Sequence, residues 1–409
     1  MRNLKTICIA GKNDIAVDVL QYCLENYPER EIVCITNRNE TGANGWQKSL
    51  KWFAEKSGAA VKTLEDVYKI EDLVFLSLEF DKIINPSLFR SSRLYNIHFS
   101  MLPSYKGMYT SIFPILHGEA YTGVTLHKIN SGIDTGEIID QKRVEICGGD
   151  SSLDLYKKLI GAGTELVIEN LERLLNNNVT LYPQPAEKST YYPSSSIDFS
   201  TLSLDVNRTA FQIKNQIDAF CFRPYQLIQW REIPYIGCEI TSQPSVCRPG
   251  TILEENRAVS RISTVDYDVV LFKDVFYDLL DAITEHRSAE AKELCVSERM
   301  ITSRDSNGCS ALTVAVRSNN KEMYYYLKEQ GADIHIRDYE GRNMLVYAME
   351  SGLKTGDWDL FVSMVESGIS VFDTDYNGKT VFECIERNDL MNLPYEIREL
   401  INKHNEIIL

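Results

Sequence analysis

The sequence has few positive charges for its length. Its 409 residues contain 43 lysines and arginines against 58 aspartates and glutamates, which gives a formal net charge of −15 at pH 7. Binding to the phosphates of nucleic acids or anionic lipids depends on lysine and arginine side chains that displace counterions. An extended nucleic-acid or membrane surface is therefore not expected, and a transfer RNA substrate is disfavoured. A local basic pocket remains compatible with this charge.

Long apolar runs and clustered cysteines are also missing. No apolar stretch approaches the ~20 residues that span a bilayer, and the N-terminal MRNLKTICIAGKND lacks the apolar core and cleavage site of a signal peptide. The ten cysteines include no Cys-x-x-Cys pair and do not cluster as zinc or redox ligands do. We therefore expect no metal, no membrane contact, mostly buried thiols, and a cytoplasmic location.

The first part of the chain, residues 1–180, alternates short apolar runs with helical patterns. The strand-like runs are KTICIAG, REIVCITN, DLVFLSL and RLYNIHF, and helical patterns lie between them. This order predicts an α/β, Rossmann-like domain with a mainly parallel sheet, whose ligands bind beyond the carboxyl ends of the strands. AGKND is not a dinucleotide fingerprint, because it has one glycine where three are needed. A helix at about 151–176, begun by Ser151 and Asp154 in a capping-box spacing, is expected to close this domain.

The second part, residues 181–275, has a different composition. It begins with prolines, tyrosines and serines in YPQPAEKSTYYPSSSIDFS, continues with one helical pattern, and ends with short strands such as IPYIGCEIT and YDVVLFKD. These features predict a small, mostly β second domain.

The third part, residues 280–409, contains an internal repeat. The segments DSNGCSALTVAV, DYEGRNMLVYAM and DYNGKTVFECIE begin with Asp305, Asp338 and Asp375, which are 33 and then 37 residues apart. A 33-residue period of a turn and two short helices resembles ankyrin repeats, and the resemblance implies an all-α module. The four extra residues of the second interval fall near SGLKTGDWD.

Three residues of the first part could form a reactive group. Asn96 and His98 stand at the end of a predicted strand, and Asp134 lies between two glycines in SGIDTGEI. An amide donor, a near-neutral base and a carboxylate at one end of a sheet suit the attack of an amine on an activated acyl group. From the residues alone, a structural role for His98 is the more frequent outcome. His117 and His127 have the same claim, although neither has an asparagine two residues away.

The segments YNIHFSMLPSYKG and GVTLHKINSGIDTGEII resemble the paired signatures of the folate-dependent formyltransferases. The resemblance implies that Asn96, His98 and Asp134 are catalytic, that 10-formyltetrahydrofolate is the formyl donor, and that no metal is needed. Two departures are visible. Phe99 replaces the proline that commonly follows the histidine, and PILHGE lacks a frequent tryptophan. Both changes concern the pocket walls and leave the chemistry intact.

The same resemblance assigns FLSLEFDKII to the loop that lines the pterin pocket. It implies folate contacts from two segments, namely Phe80, Asp81, Lys82 and Ile83 on one side and Ile129, Asn130 and Ser131 on the other. For Phe80 and Ile83, simple packing in the core explains the apolar side chains equally well.

The segment from KSTYYP to QIKNQIDAFCFRPYQ resembles the nucleotide-sugar N-formyltransferases, whose acceptor is an amino sugar on a dTDP or UDP group. The implied substrate contacts are Met108, Tyr109, Thr110, Tyr191, Tyr192, Phe222, Arg223 and Tyr225. Aromatic faces stack on bases, and an arginine pairs with phosphate. Together with the repeats, the resemblance points to a dTDP-3-amino-3,6-dideoxyhexose of O-antigen (lipopolysaccharide) synthesis.

Several alternatives remain open at this stage. The acceptor can be a dTDP-4-amino-4,6-dideoxyhexose or another small amine, the donor can simply be hydrolysed, or the catalytic fold can be inactive in an ankyrin interaction protein. The resemblance also implies a homodimer. The repeats can serve as a partner surface, a dimer contact, or an accessory nucleotide-sugar site at which Trp358, with Tyr325, Tyr326 and Tyr347, would stack on a base.

Overall fold

The structure is a computed structural model that describes residues 6–384 and 393–399. It contains two compact units. The first holds the chain up to Glu232 with 242–249 and 264–267, and the second holds 233–241, 250–263 and the chain from Asp268 onwards. These two units do not test the three domains predicted from the sequence, residues 1–180, 181–275 and 280–409, and the domain boundaries remain a prediction.

The first unit contains ten strands and six α-helices among its described residues. The strands are β1 (Thr6–Gly11), β2 (Ile32–Thr36), β3 (Ala60–Val61), β4 (Leu73–Leu78), β5 (Leu94–His98), β6 (Lys106–Gly107), β7 (Tyr121–Lys128), β8 (Ile138–Glu145), β9 (Tyr191–Tyr192) and β10 (Gln229–Trp230). The helices are α1 (Asn13–Asn26), α2 (Leu50–Ser57), α3 (Leu64–Val67), α4 (Phe113–Leu116), α5 (Ser152–Leu175) and α6 (Ala210–Ala219).

A seven-stranded sheet with the order β3-β2-β1-β4-β5-β7-β8 forms the centre of this unit. Strands β1 to β5 pair in parallel, whereas β7 is antiparallel to both β5 and β8. Every residue of β1 and of β4 is buried, as expected for central parallel strands with both faces covered. The mostly parallel sheet of an α/β domain is confirmed. The order reverses between β1 and β4, and such a reversal opens a crevice at the carboxyl ends of the strands.

Helix α5 begins as its sequence predicts. The Ser151 hydroxyl accepts the Asp154 N–H at 3.2 Å, and the Asp154 carboxylate accepts the Ser151 N–H at 2.9 Å. This reciprocal pair satisfies two amide groups that the first turn would leave unpaired. Further along α5, Gly163 lies against Phe99: a methyl group added at Gly163 would lie 3.2 Å from the Phe99 ring. The ring that replaces the expected proline is thus buried against a glycine of the helix.

The second unit combines a small sheet with helices. Strands β11 (Ile233–Pro244), β12 (Ile252–Glu255), β13 (Val259–Ile262) and β14 (Tyr267–Lys273) lie in the order β11-β14-β13-β12. The helices are α7 (Phe276–Thr284), α8 (Ser288–Leu294), α9 (Glu298–Thr302), α10 (Ala311–Arg317), α11 (Lys321–Glu329), α12 (Met344–Thr355) and α13 (Asp359–Glu366). A helical C-terminal region therefore follows the small sheet.

The sequence repeat corresponds to a repeated turn. Asp305, Asp338 and Asp375 each accept, through the side chain, the N–H of the residue four positions later, at 2.8 to 2.9 Å. The three aspartates therefore close the same turn. The second interval carries its extra residues in α12, which has 12 residues where α10 has 7. The identity of the repeats as ankyrin repeats stays a prediction, and part of the third repeat lies outside the described residues.

One residue proposed for stacking in an accessory site is not available for it. Tyr347 is 5% exposed, and its hydroxyl donates to Asp338 at 2.6 Å. Trp358 packs against Gly352, where an added methyl group would lie 2.6 Å from the indole. The accessory-site hypothesis thus loses one of its four aromatic residues.

Over the described ranges, no helix has both the length and the apolar character needed to cross a membrane. Across 6–384 and 393–399, no group of three or more His, Cys, Asp or Glu side chains is arranged to hold a metal ion. Six of the ten cysteines are buried.

Candidate active site

A cavity of about 880 Å³ opens at the carboxyl ends of the central strands in the first unit. Asn96, His98 and Asp134 all line it, so the structure brings together the three residues that the two sequence motifs separate by more than thirty positions. A cavity of this size falls within the range of small-molecule sites, which is about 300–1,000 Å³.

His98 ends strand β5 and is held through its ring. Its Nε2 lies 2.8 Å from the carbonyl oxygen of Tyr105, which can only accept, so Nε2 carries the proton. The neutral ring then keeps its lone pair on Nδ1, which is 3.5 Å from Asp134 Oδ2. Burial lowers the pKa of His98, although the Asp134 charge and the Tyr105 carbonyl raise it in part. A neutral imidazole whose basic nitrogen is beside a carboxylate is suited to accept a proton.

Asp134 lies in a turn with a left-handed backbone, at φ = 52°. Its Oδ2 accepts the N–H of Gly107 at 2.9 Å. The turn is closed by Asn130, whose side-chain oxygen accepts from the Gly132 N–H at 3.1 Å and the Thr135 hydroxyl at 2.8 Å. Burial favours the neutral acid, but the neighbouring imidazoles and the amide N–H outweigh it and lower the pKa of Asp134 to about 2. Asp134 is therefore ionised at neutral pH.

Asn96 is oriented by a histidine on the adjacent strand. Asn96 and His127 are directly opposite each other in the antiparallel pair of β5 and β7. His127 Nδ1 is 3.0 Å from the carbonyl oxygen of Lys128 and donates to it, so Nε2 can accept the amide N–H of Asn96 at 3.0 Å. This contact fixes which end of the amide carries the N–H groups. One N–H is bound to His127, and the second remains for a ligand.

The two glycines around Asp134 lie very close to other atoms of their own chain. A methyl group added at Gly136 would lie 1.6 Å from the carbonyl oxygen of Lys128, and one added at Gly132 would lie 2.2 Å from the Thr135 hydroxyl. These glycines let the loop pack tightly against its own chain. The close approach is internal and holds Asp134 in place.

Gly107, whose N–H donates to Asp134, provides a test of how tightly its own segment packs against Tyr192. Its φ is 86°, and an added methyl group would lie 2.3 Å from the carbonyl oxygen of Tyr192, whereas Gly58 has φ = 76° with open space around it. We expect Gly58→Ala to lower the free energy of unfolding by about 1–2 kcal/mol, the cost of a left-handed alanine. Gly107→Ala adds a steric clash and should cost clearly more, as measured by calorimetric unfolding. Equal losses for the two variants would contradict this packing.

Most of the residues predicted to contact folate line the cavity, but they differ in exposure. Phe80, Asp81, Lys82, Ile83, Ile129 and Asn130 are in the wall, and Ser131 is not. Ile83 is 81% exposed, which rules out core packing for it, whereas Phe80 is partly buried and packs against the core cluster of the sheet. The main chain of this loop is held by Asn37, whose side chain donates to the Glu79 carbonyl at 2.9 Å and accepts from the Asp81 N–H at 3.2 Å.

The predicted substrate contacts fall into two groups on the cavity wall. Met108, Tyr109, Thr110 and Tyr191 form one group, and Phe222 and Tyr225 belong to the other. Tyr192 and Arg223 are not in the wall. The Tyr192 ring stacks on Phe113 with 3.9 Å between centroids, which explains its absence from the wall.

Trp46 completes the second group and was not anticipated from the sequence. Its ring contacts Tyr156, Phe222 and Tyr225 at centroid distances of 5.5 to 5.8 Å, and its Nε1–H donates to the Tyr225 hydroxyl at 3.3 Å. Four aromatic rings therefore converge on one part of the cavity. No local pattern signals this, because Trp46 and Tyr225 are 179 residues apart.

A half-buried carboxyl group in the cavity wall was also missed. Glu79 accepts a hydrogen bond from the Tyr156 hydroxyl at 2.5 Å and from the Asn13 amide at 3.1 Å. Burial raises the pKa of Glu79, although these two donors partly offset the effect. Glu79 and Asn13 both have left-handed backbones, with φ of 56° and 66°. Two strained non-glycine residues joined by a hydrogen bond at the strand ends mark a candidate binding region.

Comparison with known proteins is consistent with this geometry. The family model described as formyl transferase matches residues 9–171. WlaRD, a sugar 3N-formyl transferase whose crystal structure was determined with dTDP and 5-N-formyl-THF, is 40% identical, with a TM-score of 0.62, and the match covers 67% of this chain and 99% of WlaRD. The chain belongs to the formyl transferase family.

Other formyl transferases extend the comparison. An N-formyltransferase from Helicobacter canadensis, crystallised with folinic acid and dTDP-3-aminofucose, is 38% identical with a TM-score of 0.62, over 66% of this chain and all 100% of that one. A methionyl-tRNA formyltransferase from Fervidobacterium nodosum is 29% identical over 279 residues, which is 64% of this chain and 87% of that protein. As a formyl transferase, the protein is an enzyme that transfers one-carbon groups.

Proposed function

We propose that this formyl transferase moves the formyl group of 10-formyltetrahydrofolate to the amine of a dTDP-linked amino-dideoxy sugar. The acceptor that we favour is a dTDP-linked 3-amino-3,6-dideoxyhexose. The observation that carries the proposal is the arrangement around His98. Its basic Nδ1 faces Asp134 at 3.5 Å in a wall that also holds the Asn96 amide.

The three residues divide the work of acyl transfer to an amine. His98 Nδ1 accepts the proton that the amine loses as it attacks, and the resulting imidazolium is beside the ionised Asp134. The free N–H of Asn96 donates to the acyl oxygen as negative charge develops there. When the bond between the formyl carbon and the donor nitrogen breaks, the His98 imidazolium returns its proton to that nitrogen, so that the deformylated folate leaves and His98 is neutral again. A buried site strengthens both interactions, because the local dielectric is low.

The cavity wall fits a folate donor. Phe80, Ile83 and Ile129 supply apolar surface for a fused ring, and the exposure of Ile83 leaves that surface uncovered by the protein itself. When bound, 10-formyltetrahydrofolate supplies the activated formyl group. Phe80, Asp81, Lys82, Ile83, Ile129 and Asn130 would hold it, whereas Ser131 is outside the wall.

Two observations support a nucleotide-linked amino sugar as acceptor. The cluster of Trp46, Tyr156, Phe222 and Tyr225 offers ring faces for stacking on a base. The relatives that match over two thirds of this chain were crystallised with dTDP and with dTDP-3-aminofucose. The sugar nucleotide bound to the second relative carries its amine on carbon 3, which supports a 3-amino sugar over a 4-amino sugar. Homodimerisation and an ankyrin fold for the repeats remain expectations from the resemblance.

Methionyl-tRNA is a second candidate acceptor. Several relatives carry the name methionyl-tRNA formyltransferase, with 29% identity over 279 residues in one case. The net charge of −15 disfavours it, because binding a transfer RNA requires many cationic contacts with phosphate.

A panel assay tests the proposal. The protein is incubated with 10-formyltetrahydrofolate and, separately, dTDP-3-amino-3,6-dideoxyhexose, the 4-amino isomer, a UDP-linked amino sugar, methionyl-tRNA, or no acceptor. We expect mass spectrometry to show the formylated 3-amino sugar. Its kcat/KM should exceed that of every other acceptor in the panel by about tenfold or more. Formate released equally with no acceptor would show hydrolysis instead. Faster formylation of methionyl-tRNA would establish the second candidate.

A further inference from the structure

Residues 182–192, which we call the strap, lie beyond the segment 9–171 that matches the family model. The strap nevertheless runs along both loops that carry the candidate catalytic groups. Tyr182 exchanges two backbone hydrogen bonds with Ile138, each 2.8 Å long, just after the Asp134 turn. At its other end β9 pairs in parallel with β6, in the loop that follows His98.

Gln184 connects the strap to the turn that holds Asp134. Its side-chain Nε2 donates to the carbonyl oxygen of Asp134 at 2.9 Å and to that of Gly136 at 2.7 Å. The Gln184 side chain thus bridges Asp134, whose backbone is left-handed, and Gly136, which packs against the backbone of Lys128. A strained conformation persists only when the surroundings impose it, and Gln184 supplies two of those constraints.

Thr190 connects the strap to His98 through one intervening residue. Its hydroxyl accepts the N–H of Tyr105 at 2.7 Å, and its own carbonyl accepts the N–H of Lys106 at 3.0 Å. Tyr105 also has a left-handed backbone, at φ = 58°, and its carbonyl accepts the His98 Nε2–H at 2.8 Å. The carbonyl that fixes the His98 tautomer is therefore held by the strap.

We propose that the strap is the positioning element of the active site: Gln184 sets the position of Asp134 and Thr190 sets that of His98. Gln184 acts through the backbone of Asp134 itself. Thr190 acts through the backbone of Tyr105, whose carbonyl holds the His98 ring. The roles of His98 and Asp134 come from the proposed function, on which this inference rests.

Gln184→Glu tests the first contact with little change in shape. The carboxylate cannot donate, and its charge repels both carbonyl oxygens. We expect kcat for formyl transfer to fall about 10- to 100-fold while KM for the amino sugar changes less than about threefold, because a displacement of about 1 Å at the reacting groups costs this much. Gln216→Glu is the matched control, since Gln216 also donates to two backbone carbonyls, at 3.2 and 3.4 Å, but on α6. The control should keep the wild-type kcat.

Thr190 offers a second, independent pair of variants. Thr190→Val removes the hydroxyl at constant shape, and we expect kcat to fall about tenfold. Thr190→Ser keeps the hydroxyl and should restore kcat to within about twofold of wild type. If valine and serine behave alike, the Tyr105 contact does not position His98.

Hydrogen–deuterium exchange separates this inference from the proposed function. We expect Gln184→Glu to speed amide exchange across residues 132–137, and Gln216→Glu to leave it unchanged, whether or not the protein formylates any acceptor. If the wild type formylates no acceptor but Gln184→Glu still speeds exchange across residues 132–137, the proposed function is wrong and the contact between the strap and the Asp134 turn is supported. Unchanged exchange, or faster exchange with unchanged kcat in an active enzyme, would overturn the strap's positioning role.

Discussion

We expect His98→Gln to lower kcat for formyl transfer by about 10²- to 10⁴-fold, the usual contribution of a positioned general base. Glutamine retains an amide N–H that can reach the Tyr105 carbonyl, where His98 Nε2 lies at 2.8 Å. It has no basic nitrogen at the position of Nδ1. The variant therefore removes the base but keeps the hydrogen bond to the Tyr105 carbonyl. The value of kcat measured at saturating donor and acceptor reports the loss of the base.

The control for this variant is another histidine with the same kind of contact. His286 Nε2 is 3.0 Å from the carbonyl oxygen of Ser318, in the second unit. His286→Gln should leave kcat within about twofold of wild type, since surface changes away from the site have small effects. A His98→Gln enzyme with the wild-type kcat and unfolding temperature would exclude His98 as the base.

Asp134→Asn should lower kcat by about 10²-fold or more, because the imidazolium formed by proton transfer loses its charged neighbour. It should also move the acid limb of the pH profile. The Asp134 charge raises the pKa of His98 against the opposing effect of burial, so its removal lowers the pKa of His98 further. The acid limb of kcat/KM then shifts to lower pH. A shift to higher pH, or no shift, would contradict this assignment.

The same variant predicts a change in stability with a definite sign. The pKa of Asp134 is lowered from 3.8 to about 2, so its ionisation stabilises the fold above pH 4 and this contribution is lost as pH falls towards 2. The contribution is about 2 kcal/mol at neutral pH. Asp134→Asn should be less stable than wild type at pH 7 and nearly equal to it at pH 2, as measured by urea unfolding. Asp205→Asn is the control: the Asp205 carboxylate also has a lowered pKa, but its side chain is 42% exposed, so its loss should cost less at pH 7.

Local sequence patterns predict the parts of this molecule that depend on local rules. The capping spacing of Ser151 and Asp154 places the start of α5, because a cap involves only neighbouring residues. The end of β5 places Asn96 and His98 beside the loop of Asp134, because ligand loops gather where parallel strands end.

Other parts depend on pairings that no local pattern encodes. His127 faces Asn96 only because β7 runs antiparallel to β5 in an otherwise mostly parallel sheet. Spacing along the chain therefore made His127 look unrelated to Asn96. Gln184 was missed for a different reason, since its partners are two backbone carbonyls, and any sequence supplies those. The exposure of Ile83 depends on the path of the loop, which apolar periodicity does not describe.

The strap also bears on how this enzyme can be recombined with others. A chimera that joins residues up to the end of α5, near Leu175, to a foreign acceptor domain would discard the backbone pairing of Tyr182 with Ile138 and of β9 with β6. The segment that should be kept intact in a chimera therefore extends to Tyr192. Crossover points for exchanging acceptor specificity belong after Tyr192, so that the loops of His98 and Asp134 keep their hydrogen bonds to the strap.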